Sequence, residues 1–120
     1  VVTASVALVL ETATHDEIQS FPISVEQQAE EYRILNIKNA VECIDKERSL
    51  IQWWGEADGR PEKVGMPEMI VELKIDPEKA ANHKIFRVAT WKIAPIVSHE
   101  IKTLLEKMKV TGVHFEPVCD

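Results

Sequence analysis

The stretch VSHEIKTLLEKMKVTGVHFEPV, residues 97–118, carries the reading on which the fold depends. Ser98 suits a helix N-cap, because its hydroxyl can accept a hydrogen bond from an amide that the first turn leaves unpaired. Glu100 follows in that turn, where the helix dipole favours an acid. Ile101, Leu104, Leu105 and Met108 fall at i, i+3, i+4 and i+7, one apolar stripe on an amphipathic helix. Lys107 and Lys109 stand in the last turn, where cations belong. Thr111-Gly112 ends the helix. Val113, Phe115 and Pro117 alternate with His114 and Glu116, which predicts a short strand with Pro117 at a sheet edge.

The same pattern lies 95 positions earlier. Thr3 stands where Ser98 stands, and Val6, Val9, Leu10 and Ala13 stand where Ile101, Leu104, Leu105 and Met108 stand. Glu11 matches Glu106, Ile18 matches Val113, Pro22 matches Pro117 and Ile23 matches Val118. One offset serves all nine pairs without a gap. The expectation is two copies of a unit made of a capped helix, a turn and a Pro-ended strand, closing a single sheet. Chance agreement between two ordinary amphipathic helices is the alternative.

With 120 residues, the chain is long enough for one domain with a real core. It lacks an initiating Met and opens directly in a helix-like segment. The expectation is therefore a single domain over residues 1–120 that lacks an N-terminal portion of the full-length protein. No apolar run approaches the roughly 20 residues of a membrane span. The two cysteines, Cys43 and Cys119, make no disulfide framework and suit a reducing, cytoplasmic compartment. Cys43 reads as a buried structural thiol and Cys119 as an exposed one. Of the net charge of −6, all belongs to residues 1–60, where 11 acids face 5 bases; residues 61–120 balance at 9 of each. An acidic first half argues against nucleic acid, which wants a basic face, and permits a basic protein partner.

Between the two helices the pattern is mainly of strands. Glu17 to Val25 reads as a strand interrupted by Pro22. Tyr32 to Ile44 is apolar on both faces, which suggests one central strand, or two joined at a bend near Asn39. Leu50 to Trp54 and Met69 to Ile75 read as strands on either side of a long loop. That loop holds Gly55, Gly59, Pro61, Gly65 and Pro67. Asp76 to Lys79 looks like one helical turn, and two short strands follow at 85–88 and 91–96. Helices near both ends with strands between them predict an α+β fold with a mixed or mostly antiparallel sheet.

No catalytic or metal-binding motif is present. His15, His83, His99 and His114 have no metal-ligand spacing with each other or with the cysteines. There is no phosphate loop, nucleophile elbow or HExxH. Arg87, between Phe86 and Val88, is expected to need a carboxylate partner, with Asp45 or Glu47 the candidates. Trp53-Trp54 precedes Gly55-Glu56-Ala57-Asp58-Gly59, and neighbouring strand residues point to opposite faces. One Trp should therefore face out beside acids, as an interface anchor does. Two semi-core tryptophans at a strand end are the alternative.

Tyr32-Arg33-Ile34-Leu35-Asn36, Cys43 to Ser49, Ile85-Phe86-Arg87, Ser98 with Leu104-Leu105-Glu106, and Thr111 to Val118 resemble a bacterial immunity-protein family of polymorphic toxin systems. That family was long catalogued as a domain of unknown function. The resemblance spans roughly Val2 to Val118, and the C-terminal helix with Thr-Gly-Val-His-Phe-Glu-Pro-Val is its most specific part. It implies a non-catalytic protein that binds and neutralises a cognate toxin, with no catalytic residues and no cofactor to carry over. The partner surface is expected around Trp54, Glu56 and Asp58, with the acidic connection Glu26–Glu31 as second choice. Two other readings stay open. One is a small-molecule enzyme with His114 or Glu116 as base, and the other is a domain that self-associates, as a homodimer, through a sheet edge.

Overall fold

Each helix starts on a hydroxyl. The structure, a computed structural model, describes residues 1–119. Helix α1 (Ala4–Thr14) is capped by Thr3, whose Oγ1 accepts from the Val6 amide at 3.4 Å. Helix α2 (His99–Lys107) is capped by Ser98, whose Oγ accepts from the Ile101 amide at 3.3 Å. Between them run β1 (Val2–Thr3, before α1), β2 (Ile18–Ile23), β3 (Tyr32–Ile37), β4 (Ala40–Val41), β5 (Leu50–Trp53), β6 (Pro67–Glu72), β7 (Ile85–Val88) and β8 (Trp91–Val97). The fold is α+β, with a helix near each end and mostly antiparallel pairing. The β4–β7 pair is parallel. The strands form three small sheets rather than one, ordered β1-β3-β2, β4-β7-β8 and β5-β6. Among the described residues, no helix is long and apolar enough to cross a membrane.

Strand β7 is the wall between two cores. Adjacent strand residues face opposite ways. Ile85 joins Val6, Leu10, Ile18, Ile101 and Leu105 on the helical side. Phe86 and Val88 join Cys43, Ile44, Ile75, Ala80 and Ile96 on the other. Of the two arrangements expected over Tyr32–Ile44, the break near Asn39 is the one found: β3 and β4 flank it, in different sheets, and Ile34 lies exposed on the outer face of β3. The strand covered on both faces is β7.

One carboxylate fastens the N-terminal helix and sheet to the start of β7. Glu17, just before β2, accepts from the Lys84 amide at 2.9 Å and the Ile85 amide at 2.8 Å. The same lysine donates through Nζ to the carbonyl of Ala13 at 3.1 Å and pairs with Glu100 of α2 at 3.3 Å. These contacts join residues almost 70 positions apart and seat α1 and α2 against the start of β7. A second network ties α1 to its own sheet: Ser20 donates to Glu11, and Arg33 Nε donates to Ser20 Oγ at 2.7 Å.

Prolines guard the strand edges. The Lys38 amide donates to the Glu17 carbonyl, which sets the phase of the β2–β3 ladder. Alternation then makes Pro22–Arg33 a pair without ladder bonds, so the Pro22 nitrogen points to the open edge, where a missing N–H costs nothing. The Arg87 amide donates to the Asn39 carbonyl, away from β8, so its partner Pro95 likewise faces outward. Both prolines deny a donor to any strand that would add there.

The internal duplication does not survive. The two helix starts match, but residues 18–23 form a strand paired along its full length with β3, whereas 113–118 form none. That segment is a tail whose Phe115 packs on one core and Val118 on the other, and its carbonyl at Val118 accepts from the Ile75 amide at 2.8 Å. Alternation reports only that every second side chain is buried, and a tail laid over a core satisfies that as well as a strand. The matched acids also differ in use: Glu11 binds Ser20, whereas Glu106 pairs with Lys102.

Other local expectations shift in the same way. The strand expected over Met69–Ile75 starts earlier and ends at Glu72, with Ile70 packed inward and Met69 and Val71 outward. Residues 76–80 form turns rather than a helix, with Asp76 Oδ1 accepting from the Glu78 amide. Arg87 has no need of Asp45 or Glu47: its Nη1 donates to the Lys92 carbonyl at 2.8 Å, on the exposed side of the β7–β8 pair. Cys43 is buried as expected. Cys119 is half-buried rather than exposed, because the tail carries it onto the core beside Val118.

Three outcomes follow from these contacts. Glu17→Ala leaves two amides without their charged acceptor and should lower stability by about 3 kcal/mol in urea unfolding, with Glu17→Gln recovering part of the loss. Lys109 sits at φ 55°, the left-handed region, just past α2; Lys109→Gly should raise stability by about 1 kcal/mol by removing that strain. Burial, reinforced by Glu42, pushes the Cys43 thiol above its ordinary value of 9.0. The folded thiol then holds its proton to higher pH than the unfolded one. Stability should be flat below the unfolded value and fall as pH rises above it. Urea unfolding compared between about pH 7.5 and about pH 9.5 should show that fall, and Cys43→Ala should flatten it.

Candidate functional site

The β5–β6 pair is a two-stranded ribbon whose inner face is held and whose outer face is open. Ile51 opposes Ile70, and both pack on the core that holds Phe86. Gln52 opposes Met69 on the other face. The ribbon's base is fastened by Ser49, whose hydroxyl accepts from the Lys74 amide at 2.8 Å and donates to the Lys74 carbonyl at 2.9 Å. Asp45 organises the turn before it by accepting from the Glu47 and Arg48 amides, both at 3.1 Å. The Asp45–Ser49 turn thus serves to anchor the ribbon.

The loop between the two strands is built from two short 3-10 turns, Glu56–Asp58 and Pro61–Lys63. Gly59 and Gly65 take φ of 73° and 86°, which only glycine adopts at little cost. The Trp54 amide donates to the Met66 carbonyl at 2.9 Å and closes the loop. Asp58 Oδ2 accepts from the Gly55 amide at 2.7 Å, so this acid also holds the tip together.

The more exposed tryptophan is Trp53, which ends β5 just after a slip in the β5–β6 register between Gln52 and Trp53. Trp53 is 39% exposed, with Lys46 Nζ 5.6 Å above its ring. Trp54 is half-buried, with Lys63 Nζ 5.1 Å above its ring. Glu56 and Asp58 are exposed beside it. The structure therefore brings Trp54, Glu56 and Asp58 together at one tip. It also adds residues that sequence reading passed over: Leu50, Met69 and Val71 are 57%, 50% and 64% exposed on the same ribbon. Met69, Val71, Leu73 and Ile75 alternate with Ile70, Glu72 and Lys74, and that alternation does not say which face is covered, since burial depends on what the ribbon packs against. Glu26–Glu31 forms an exposed connection between β2 and β3, on a different sheet from the ribbon.

A groove of about 770 Å³ runs between β8, the start of α2, the end of β6 and the tail. His114 and Glu116 stand on its rim, 83% and 80% exposed, with Nε2 and Oε1 3.5 Å apart. A pair so exposed is a surface contact of small energy. Ser98 Oγ, in the groove wall, serves the α2 cap. Among the described residues, no hydrogen bond joins a nucleophile in this groove to a base. A smaller cleft of about 440 Å³ lies among Glu42, Asp45, Glu47, Asp76 and Lys79. Its two central carboxylates, Asp45 and Asp76, are occupied by backbone amides of their own turns. Among the described residues, no cluster of three or more His, Cys, Asp or Glu is placed to hold a metal ion.

These features describe an anchored ribbon with exposed apolar side chains on its strands and acids at its tip. No curated protein and no solved structure matches the chain. The model of the immunity protein family (Imm11) matches residues 2–120, the whole length of the sequence after its first residue. The chain belongs to the Imm11 immunity protein family.

Proposed function

We propose that this protein is a non-catalytic immunity protein that neutralises a cognate bacterial toxin by stoichiometric binding in the cytoplasm of the producing cell. Family membership carries the reading. The ribbon supports it: Trp54, Glu56 and Asp58 lie at one tip, which the Gly55–Asp58 bond and the Trp54–Met66 bond hold together. An interface gains from such order, because less conformational freedom is lost on binding. The acidic bias of the first half favours a basic toxin surface, through faster encounter more than through raw affinity. The partner of this reading is a protein, with no role for nucleic acid or membrane.

Co-expression with the product of the neighbouring toxin gene tests the function. The expected result is rescued growth and a one-to-one complex on sizing chromatography. Absence of both rescue and complex with the full-length protein would remove the proposal.

A further inference from the structure

The exposed apolar side chains of this molecule are not evenly spread. Six of the thirteen large hydrophobics exposed among the described residues lie between positions 50 and 71, on the ribbon and its loop. Four of them, Leu50, Trp53, Met69 and Val71, belong to the two strands themselves. Single exposed apolar residues are ordinary, but a cluster on one rigid element marks a surface that something covers. The same segment, residues 50–72, carries five acids (Glu56, Asp58, Glu62, Glu68 and Glu72) against two bases, Arg60 and Lys63.

We propose that the outer face of the β5–β6 ribbon is where the toxin seats, with Met69 and Val71 at the apolar centre, Trp53 at its edge and the segment's acids as its charged surround. This rests on the immunity reading and extends it from the tip residues to the strand face. The occupant is a protein surface with an apolar centre and a basic rim. Charge decides against the alternatives. A second copy docking through this face would set two net-negative ribbons against each other, since an isologous contact repeats the same patch on both sides. An anionic lipid surface would be repelled for the same reason.

The centre and the surround do different things. Apolar side chains at the middle of an interface govern how long a complex lasts, whereas peripheral charge governs how fast it forms. Glu56 is the acid to test for charge, because Asp58 also closes the tip, Glu68 accepts from Gln52 and Glu72 pairs with Lys74.

The test measures binding of purified toxin, or an inactivated form of it, to wild type and to Met69→Glu, Val71→Glu, Glu56→Lys and Phe21→Glu. Phe21 is exposed on β2, in a separate sheet, and is the control. Thermal melting screens every variant for intact folding. Met69→Glu and Val71→Glu should each weaken binding by about tenfold or more, chiefly through faster dissociation. Glu56→Lys should slow association and reduce its dependence on salt. Phe21→Glu should bind within about twofold of wild type. If wild type binds and the folded ribbon variants bind equally well, the surface is wrong while the immunity reading stands. If wild type does not bind the toxin, both fall. Concentration-dependent dimerisation abolished by Val71→Glu would also overturn the proposal, because the face would then belong to a second copy.

Discussion

The carboxylate of Glu17 on the amides of Lys84 and Ile85 is the constraint from which the rest of the molecule follows. A strand that begins between two cores must satisfy its first amides without a neighbouring strand to accept them. Buried amides left unpaired cost more than most contacts contribute. Glu17 supplies acceptors from the end of α1, and Lys84 returns the link through Ala13 and Glu100. The N-terminal helix and sheet are thereby seated on the C-terminal helix, with Ile85 closing the core between them.

Once β7 is seated, the remainder can be open. Its other face, Phe86 and Val88, carries a second core that receives the inner side of the ribbon and the C-terminal tail. Among the described residues the ribbon pairs with no third strand, and it is held by Ile51 and Ile70 inward and by Ser49 at its base. Small sheets leave many edges, and an edge is a hazard of unintended pairing. Pro22 and Pro95 answer that hazard on β2 and β8 by pointing a nitrogen without a hydrogen at solvent. The molecule thus suppresses backbone pairing at two edges while displaying side chains on one face.

The elongated shape, 51 × 33 × 24 Å, fits this division. One compact core would hide more apolar surface. Two cores sharing a strand expose more of it, and here the exposure concentrates on the ribbon. The groove beside β8 is larger than the cleft at Asp45 and Asp76; His114 and Glu116 stand on its rim in solvent, and its wall hydroxyl at Ser98 caps a helix.

Local chemistry was legible without coordinates wherever it acts over a few residues. Ser98 and Thr3 cap helices because a hydroxyl three residues ahead of an amide is a local arrangement. Cys43, a small apolar side chain in a segment that holds Ala40, Val41 and Ile44, reads as buried and is, and the α+β class follows from helices at the ends and strands between. What only the tertiary structure decided was every assignment that depends on a distant partner. Nothing in the residues around Glu17 points to its partners, the amides of Lys84 and Ile85 far along the chain. Arg87 between Phe86 and Val88 predicts a carboxylate partner, yet a carbonyl across the turn suffices. The alternation at 113–118 and the phase at 69–71 gave a period without a direction, because a repeat of two says that one face is covered and not what covers it. The sequence alone therefore determined the helices, their caps and the fold class; which strand became central and which face stayed bare was decided by packing between segments that the sequence holds far apart.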